Sequence, residues 1–137
     1  MIRAATAHWE GDLKAGKGHL STPSTTLTKT QYSYNTRFAD GVGTNPEELL
    51  AAAHAGCFTM AVSLFLGMAG FAATSLDTKA TVTMEGTAIT GVHLAISGKV
   101  PGISKEKFAE VTKTAEKNCL ISKALSIPIS SETVLVN

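Results

Sequence analysis

The sequence predicts an α+β fold, and three features carry that expectation. The first forty residues alternate short strand-like stretches with turn residues. A single long helix, apolar nearly all round, follows a clear start signal. After it come two strands of period two, a polar helix and a last strand. The chain of 137 residues suits one domain, 1–137, with a core of its own.

In chain order, Ala4–Glu10 reads as a first strand, Gly18–Thr22 as a second and Gln31–Phe38 as a third. Pro23-Ser24 and Ala39-Asp40-Gly41 are the breaks between and after them. Branched and aromatic side chains favour the strand reading here. In Thr44-Asn45-Pro46-Glu47-Glu48, Asn45 can cap a helix and Pro46 fits its first position. The two glutamates complement the positive helix end, and Glu48 stands at the capping-box distance from Asn45. The helix is expected to run to about Met68 or Ala69 and to stop at Gly70. Being apolar on every side, it is expected to be central and buried. Ser75–Met84 and Ile89–Val100 read as a hairpin turning at Glu85-Gly86-Thr87. Ser104 can cap a helix that carries Phe108, Val111 and Ala115. A short helix is expected around Ser122–Leu125 and a final strand at Thr133–Val136.

Composition excludes several classes. Hydrophobic residues make up 44% and charged residues 17%, which argues against disorder. A formal charge of +1 with dispersed lysines lacks the electrostatic footprint of a nucleic-acid binder. Leu49–Ala73 carries no charged residue and is long enough to cross a bilayer. It is nevertheless rich in Ala and Gly, interrupted by His54, Thr59 and Ser63, and without Lys/Arg bias at its flanks, so a buried helix is expected and no membrane role. The N-terminus has no basic region followed by an apolar run, which leads to the expectation of a cytoplasmic protein.

Two cysteines hold what chemistry the composition offers. Cys57 falls inside the long helix and Cys119 near the end of the polar one, in neither a CxxC nor a metal-ligand spacing. Taken alone, each reads as a small core residue. Apolar burial raises a thiol pKa, so a reactive Cys57 needs a cation. Arg37 is the candidate, and Glu47 or Glu48 could hold it; on composition alone it reads rather as a surface residue at a strand end, with the glutamates as helix-start charges.

Longer motifs change these weights. Gly43–Ala61, with Asn45-Pro46-Glu47-Glu48-Leu49-Leu50-Ala51-Ala52-Ala53-His54-Ala55-Gly56-Cys57 at its centre, resembles the signature segment of the OsmC/Ohr family, and its OsmC branch in particular. Ala7–Asp12 is similar to that family's first strand, Asn35-Thr36-Arg37-Phe38 to its arginine segment, and Ala115–Cys119 with Ser122-Lys123 to its second-cysteine segment.

The resemblance implies an intertwined homodimer, with antiparallel sheets wrapped around long central helices and active sites at the subunit interface. It implies a peroxidase of the oxidative and osmotic stress response that reduces organic hydroperoxides. In that role Cys57 is the attacking thiol and Cys119 the resolving one. Arg37 lowers the Cys57 pKa, and Glu47, in the family's Asn-Pro-Glu position, holds Arg37. The implied reductant is a dithiol, such as a dihydrolipoyl protein, and no metal, haem or flavin cofactor is implied. Against the family pattern, Leu120 follows Cys119 where proline is common, which leaves the geometry of that loop open. His54, one turn before Cys57, reads as structural, since the family uses arginine. Met60, Phe65, Met68 and Phe71 read as core residues that could also line a pocket. An inert ligand-binding dimer and a redox sensor remain the competing classes.

Overall fold

The computed structural model describes residues 1–137 and divides into two compact units, Met1–Leu49 and Leu50–Asn137. The first holds β1 (Thr6–Glu10), β2 (Lys17–Ser21), β3 (Thr30–Tyr32) and α1 (Tyr34–Phe38), together with the first turn of α2 (Pro46–Met68). The second holds the rest of α2, β4 (Ser75–Glu85), β5 (Ala88–Lys99), α3 (Lys105–Asn118), α4 (Leu120–Ala124) and β6 (Ile129–Leu135). The α+β expectation is met.

In the first unit, β1, β2 and β3 form an antiparallel meander, with Trp9 opposite Gly18 and Gly18 opposite Tyr32. Glycine is required at position 18. A Cβ there would stand 2.6 Å from the Trp9 ring and 2.7 Å from the Tyr32 ring. Those rings meet edge-on with centroids 5.4 Å apart.

The third strand ends earlier than its residues suggest. Tyr34–Phe38 is a helix because Ser33 and Thr36 close a reciprocal capping box: the Thr36 N–H donates to Ser33 Oγ at 3.2 Å, and the Ser33 N–H donates to Thr36 Oγ1 at 2.8 Å. Local capping outweighs strand propensity over so short a segment.

α2 starts as its residues predict. The Glu48 N–H donates to Asn45 Oδ1 at 2.8 Å, while the Glu48 carboxylate accepts from the Thr44 hydroxyl at 2.6 Å rather than closing the box on Asn45. The helix ends at Met68, with Gly70 at φ +87 just beyond.

In the second unit, β4 and β5 form the expected hairpin around Gly86, at φ +60. β6 pairs with β5 in parallel, so this sheet is mixed where antiparallel pairing was expected. The cause is the connection: α3 and α4 lie between the two strands and carry the chain back to the same end. Ser104 caps α3, accepting from the Lys107 N–H at 3.1 Å. The core gathers Phe58, Val62 and Leu66 of α2, the inward Val92, Leu94 and Ile96 of β5, and Phe108, Val111 and Ala115 of α3.

The expectation of a core helix is met along one edge of α2. α2 is the one helix long and apolar enough to cross a membrane, and it was expected to be central and buried. It buries a single edge, His54, Phe58, Val62 and Leu66, at the four-residue spacing of one helix face. That edge packs into the core, so α2 is a core helix. On the opposite face Met60, Leu64 and Met68 are 76%, 60% and 74% exposed.

Candidate active site

The structure joins the four expected site residues in two pairs, each within one unit. The first pair is Arg37 and Glu47. Arg37 sits in the last turn of α1, and Glu47 in the first turn of α2. Arg37 Nε donates to Glu47 Oε1 at 2.8 Å, and Nη2 approaches the same oxygen at 2.7 Å. Of the two glutamates that could hold the arginine, Glu47 does so and Glu48 is engaged by Thr44. Glu47 is buried, and its Oε2 has no hydrogen-bond partner. The guanidinium is partly exposed and lies over the Phe38 ring, 5.2 Å from its centroid. Trp9, Leu13, Tyr32, Tyr34 and Phe38 line, with Arg37, a mostly apolar cleft of about 270 Å³. It can take an apolar group and offers it one cation.

The second pair is Cys57 and Cys119. Both thiols are free. Cys57 is half-buried on α2, and Cys119 is buried where α3 ends and α4 begins. Each thiol lies close enough to shift the ionisation of the other. Cys119 is the residue before α4, and its side chain makes no cap hydrogen bond to that helix start. The N–H groups of Leu120 and Ile121 favour the Cys57 thiolate, and those of Ser122 and Ile121 the Cys119 thiolate.

The two thiols are pushed in opposite directions. Burial pushes Cys57 up, and the Cys119 side chain adds to this, outweighing the helix N–H groups. Burial also acts to raise Cys119, yet its pKa falls, because Cys57, the Ser122 and Ile121 N–H groups and the Ser122 hydroxyl together favour its charge. Leu120 starts α4 without the proline that suits a first helical position. Its N–H favours the Cys57 thiolate, a contribution that proline would lack.

Sequence reasoning read His54 as structural and missed its partner. His54 is fully buried, and its Nε2 lies 2.7 Å from Ser122 Oγ, across 68 residues of chain. A histidine inside an otherwise apolar helix was the available signal. Of the residues considered for a pocket, Phe65 and Phe71 pack against the core, and Met60 and Met68 are exposed.

Comparison with known proteins bears on the whole chain. The family described as "OsmC-like protein" matches residues 39–133. Peroxiredoxin OsmC of Escherichia coli (strain K12) is 48% identical over 128 residues, which cover 90% of each chain. An OsmC-like protein of unknown function from Vibrio cholerae superposes with a TM-score of 0.74 at 15% identity, covering 98% of this chain and 99% of that one. The organic hydroperoxide resistance protein OhrB of Bacillus subtilis superposes with a TM-score of 0.71 at 24% identity, covering 97% and 98%. At such identities these two structures speak for the fold.

Proposed function

The chain belongs to the OsmC family, and on that premise we propose that it is a thiol peroxidase that reduces organic hydroperoxides to alcohols. Its relative's name, peroxiredoxin, supports the reaction class. The observation that carries the mechanism is the proximity of Cys57 and Cys119: two free thiols remote in sequence lie near enough to shift each other's ionisation, with Cys119 at the start of α4.

The chemistry follows from that pairing. The Cys57 thiolate attacks the distal peroxide oxygen. The O–O bond breaks, the alkoxide takes a proton and leaves as alcohol, and Cys57 becomes a sulfenic acid. Cys119 displaces hydroxide, which leaves as water, and a Cys57–Cys119 disulfide forms. A dithiol reductant of the dihydrolipoyl class restores both thiols by exchange.

Burial works against the first step by raising Cys57. Arg37 is the cation assigned to offset this and to stabilise the departing alkoxide, with Glu47 holding its guanidinium. The aromatic cleft beside Arg37 favours an alkyl or aryl hydroperoxide over hydrogen peroxide, because an apolar tail gains from burial and the small peroxide does not.

The exposed apolar strip of α2 supports a homodimer in which that strip meets a second copy. A cytoplasmic stress response is the setting this cycle suits, since its disulfide is transient.

Treatment of the reduced protein with cumene hydroperoxide tests the reading. Two thiols are expected to disappear per hydroperoxide reduced, with an intramolecular disulfide visible by mass. Cys57→Ser is expected to abolish peroxide consumption; consumption at the unaltered rate by that variant would overturn the assignment.

A further inference from the structure

The proposed cycle needs Cys119 beside Cys57, and the segment that carries Cys119 has little of its own to keep it there. α4 has five residues, too few for a helix that stands unaided. Cys119, the residue before it, closes no side-chain cap. Leu120 is 72% exposed and lacks the fixed φ of proline. Ile121 and Leu125 pack against the core, but apolar contact is non-directional and does not by itself fix a register. A slip of one residue along the helix axis would displace Cys119 by about 1.5 Å and turn it by about 100°.

One directional side-chain contact reaches out of α4. Ser122 is the buried residue of that helix, and its Oγ lies 2.7 Å from Nε2 of the fully buried His54 on α2. The two ends of this bond stand alike with respect to the cysteines. His54 is three residues, one helical turn, before Cys57, and Ser122 is three residues after Cys119. On the α4 side the link to the cysteine is backbone. The Lys123 N–H donates to the Cys119 carbonyl at 3.0 Å, and the Cys119 N–H donates to the Ala115 carbonyl at 2.8 Å. On the α2 side Cys57 packs against the core cluster to which Cys119 belongs.

The bond is strongly determined. His54 Nδ1 is buried with no partner. A buried N–H without an acceptor is costlier than a buried acceptor left free, so the imidazole proton sits on Nε2 and is donated to Ser122 Oγ. Both partners are shielded from water, so parting them leaves that donor unpaired.

We propose that the His54–Ser122 hydrogen bond is a latch that fixes α4 on α2 in the register from which Cys119 reaches the Cys57 sulfenic acid. His54 and Ser122 are positioning residues, acting through the helices that carry them. The inference rests on the two-cysteine reading and specifies its second half. In that step the Cys119 thiolate attacks the sulfur of the Cys57 sulfenic acid, an S–S bond forms and the S–O bond breaks. The departing hydroxide takes up the proton that Cys119 released on ionising, and leaves as water. Cys119 is oxidised, the Cys57 sulfur is reduced, and no further reactant enters.

Two measurements on the full chain test it. In the first, one equivalent of cumene hydroperoxide is added to reduced wild type, Ser122→Ala, Ser122→Thr and the double variant His54→Leu/Ser122→Ala. The double variant removes both partners and leaves no buried group unpaired, so it is expected to keep the wild-type denaturation midpoint. Sulfenic acid is trapped with dimedone, and the disulfide is followed by loss of free thiol. Ser122→Ala and the double variant are expected to form the disulfide about tenfold more slowly, a modest loss of positioning, and to give correspondingly more dimedone adduct. Ser122→Thr, which keeps the hydroxyl, is expected to restore the rate. Disulfide formation at the wild-type rate in either latch-free variant that folds would overturn the latch.

In the second, the same proteins are equilibrated with dithiothreitol and its disulfide, without peroxide. A tenfold loss of effective concentration between the two thiols raises the reduction potential of their disulfide by about 30 mV. That rise is expected in Ser122→Ala and in the double variant, and an unmoved potential would also overturn the latch. A wild type that traps no sulfenic acid, with variants that show the shifted potential, would overturn the peroxidase reading and leave the latch standing.

Discussion

Arg37 and Glu47 meet through one oxygen: the guanidinium places Nε at 2.8 Å and Nη2 at 2.7 Å from Oε1, and Oε2 stays buried without a partner. A buried carboxylate so arranged needs its cation more than the half-exposed cation needs the carboxylate. Arg37→Met is therefore expected to destabilise the fold by about 1–2 kcal/mol, less than a fully buried pair would lose because the guanidinium is partly solvated. Glu47→Gln keeps the shape and frees the guanidinium. Peroxidase kcat/KM is expected to fall by about tenfold to a hundredfold in that variant, a loss of orientation. Chemical denaturation and steady-state kinetics on the same two variants check both directions.

His54 makes stability depend on pH in a defined direction. Burial holds its pKa below the ordinary 6.5, so the imidazole stays neutral in the fold. As pH falls through 6.5 the unfolded chain takes up a proton before the folded chain does. The unfolded state then binds more protons, and stability declines with falling pH. The contribution is fully present above pH 6.5 and is lost progressively below it. His54→Gln is expected to flatten this part of the stability–pH profile, read as denaturation midpoints between neutral and mildly acidic buffer.

Local signals made parts of this arrangement legible in advance. Asn45, Pro46 and Gly70 mark both ends of α2, and Ser104 marks the start of α3, because capping is decided within one helical turn. The Tyr34–Phe38 helix was hidden: its aromatic and branched residues favour strand, and only the Ser33–Thr36 reciprocity overrules them. The parallel β6 was hidden as well, since strand direction depends on where α3 and α4 return the chain. Cys57, Cys119 and Arg37 could be singled out by residue type and by family resemblance. His54 could not be linked to Ser122, because a contact across 68 residues leaves no periodic trace in the sequence.

Gly98 is a position where packing alone forbids a side chain. A Cβ would stand 2.6 Å from Phe108 Cζ and 3.1 Å from Leu76 Cδ2, and Phe108 is itself buried in the core. The ring has little room to retreat, because interiors are close-packed. Gly98→Ala is expected to cost about 1–3 kcal/mol, as overpacking does. Thermal denaturation measures it, and the reaction of Cys57 with hydroperoxide is expected to persist in the protein that remains folded.

The outer face of α2 separates a solvated helix from a packed one. Gly67 lies on that face beside the exposed Leu64 and Met68, and in a single chain a Cβ on Gly67 would meet nothing within 4 Å. Were the face in water, Gly67→Ala would stabilise the helix by about 0.5–1 kcal/mol, since alanine loses less backbone freedom on folding. On the homodimer proposed above, the same methyl group meets the partner, and the substitution is expected to lower the melting temperature instead. Leu64→Glu is expected to yield monomers by sedimentation, because a charge placed in an apolar contact must be desolvated without a partner. The two variants read the face by different means, one through volume and the other through charge. A stabilised Gly67→Ala protein together with an unchanged sedimentation coefficient for Leu64→Glu would place this face in solvent.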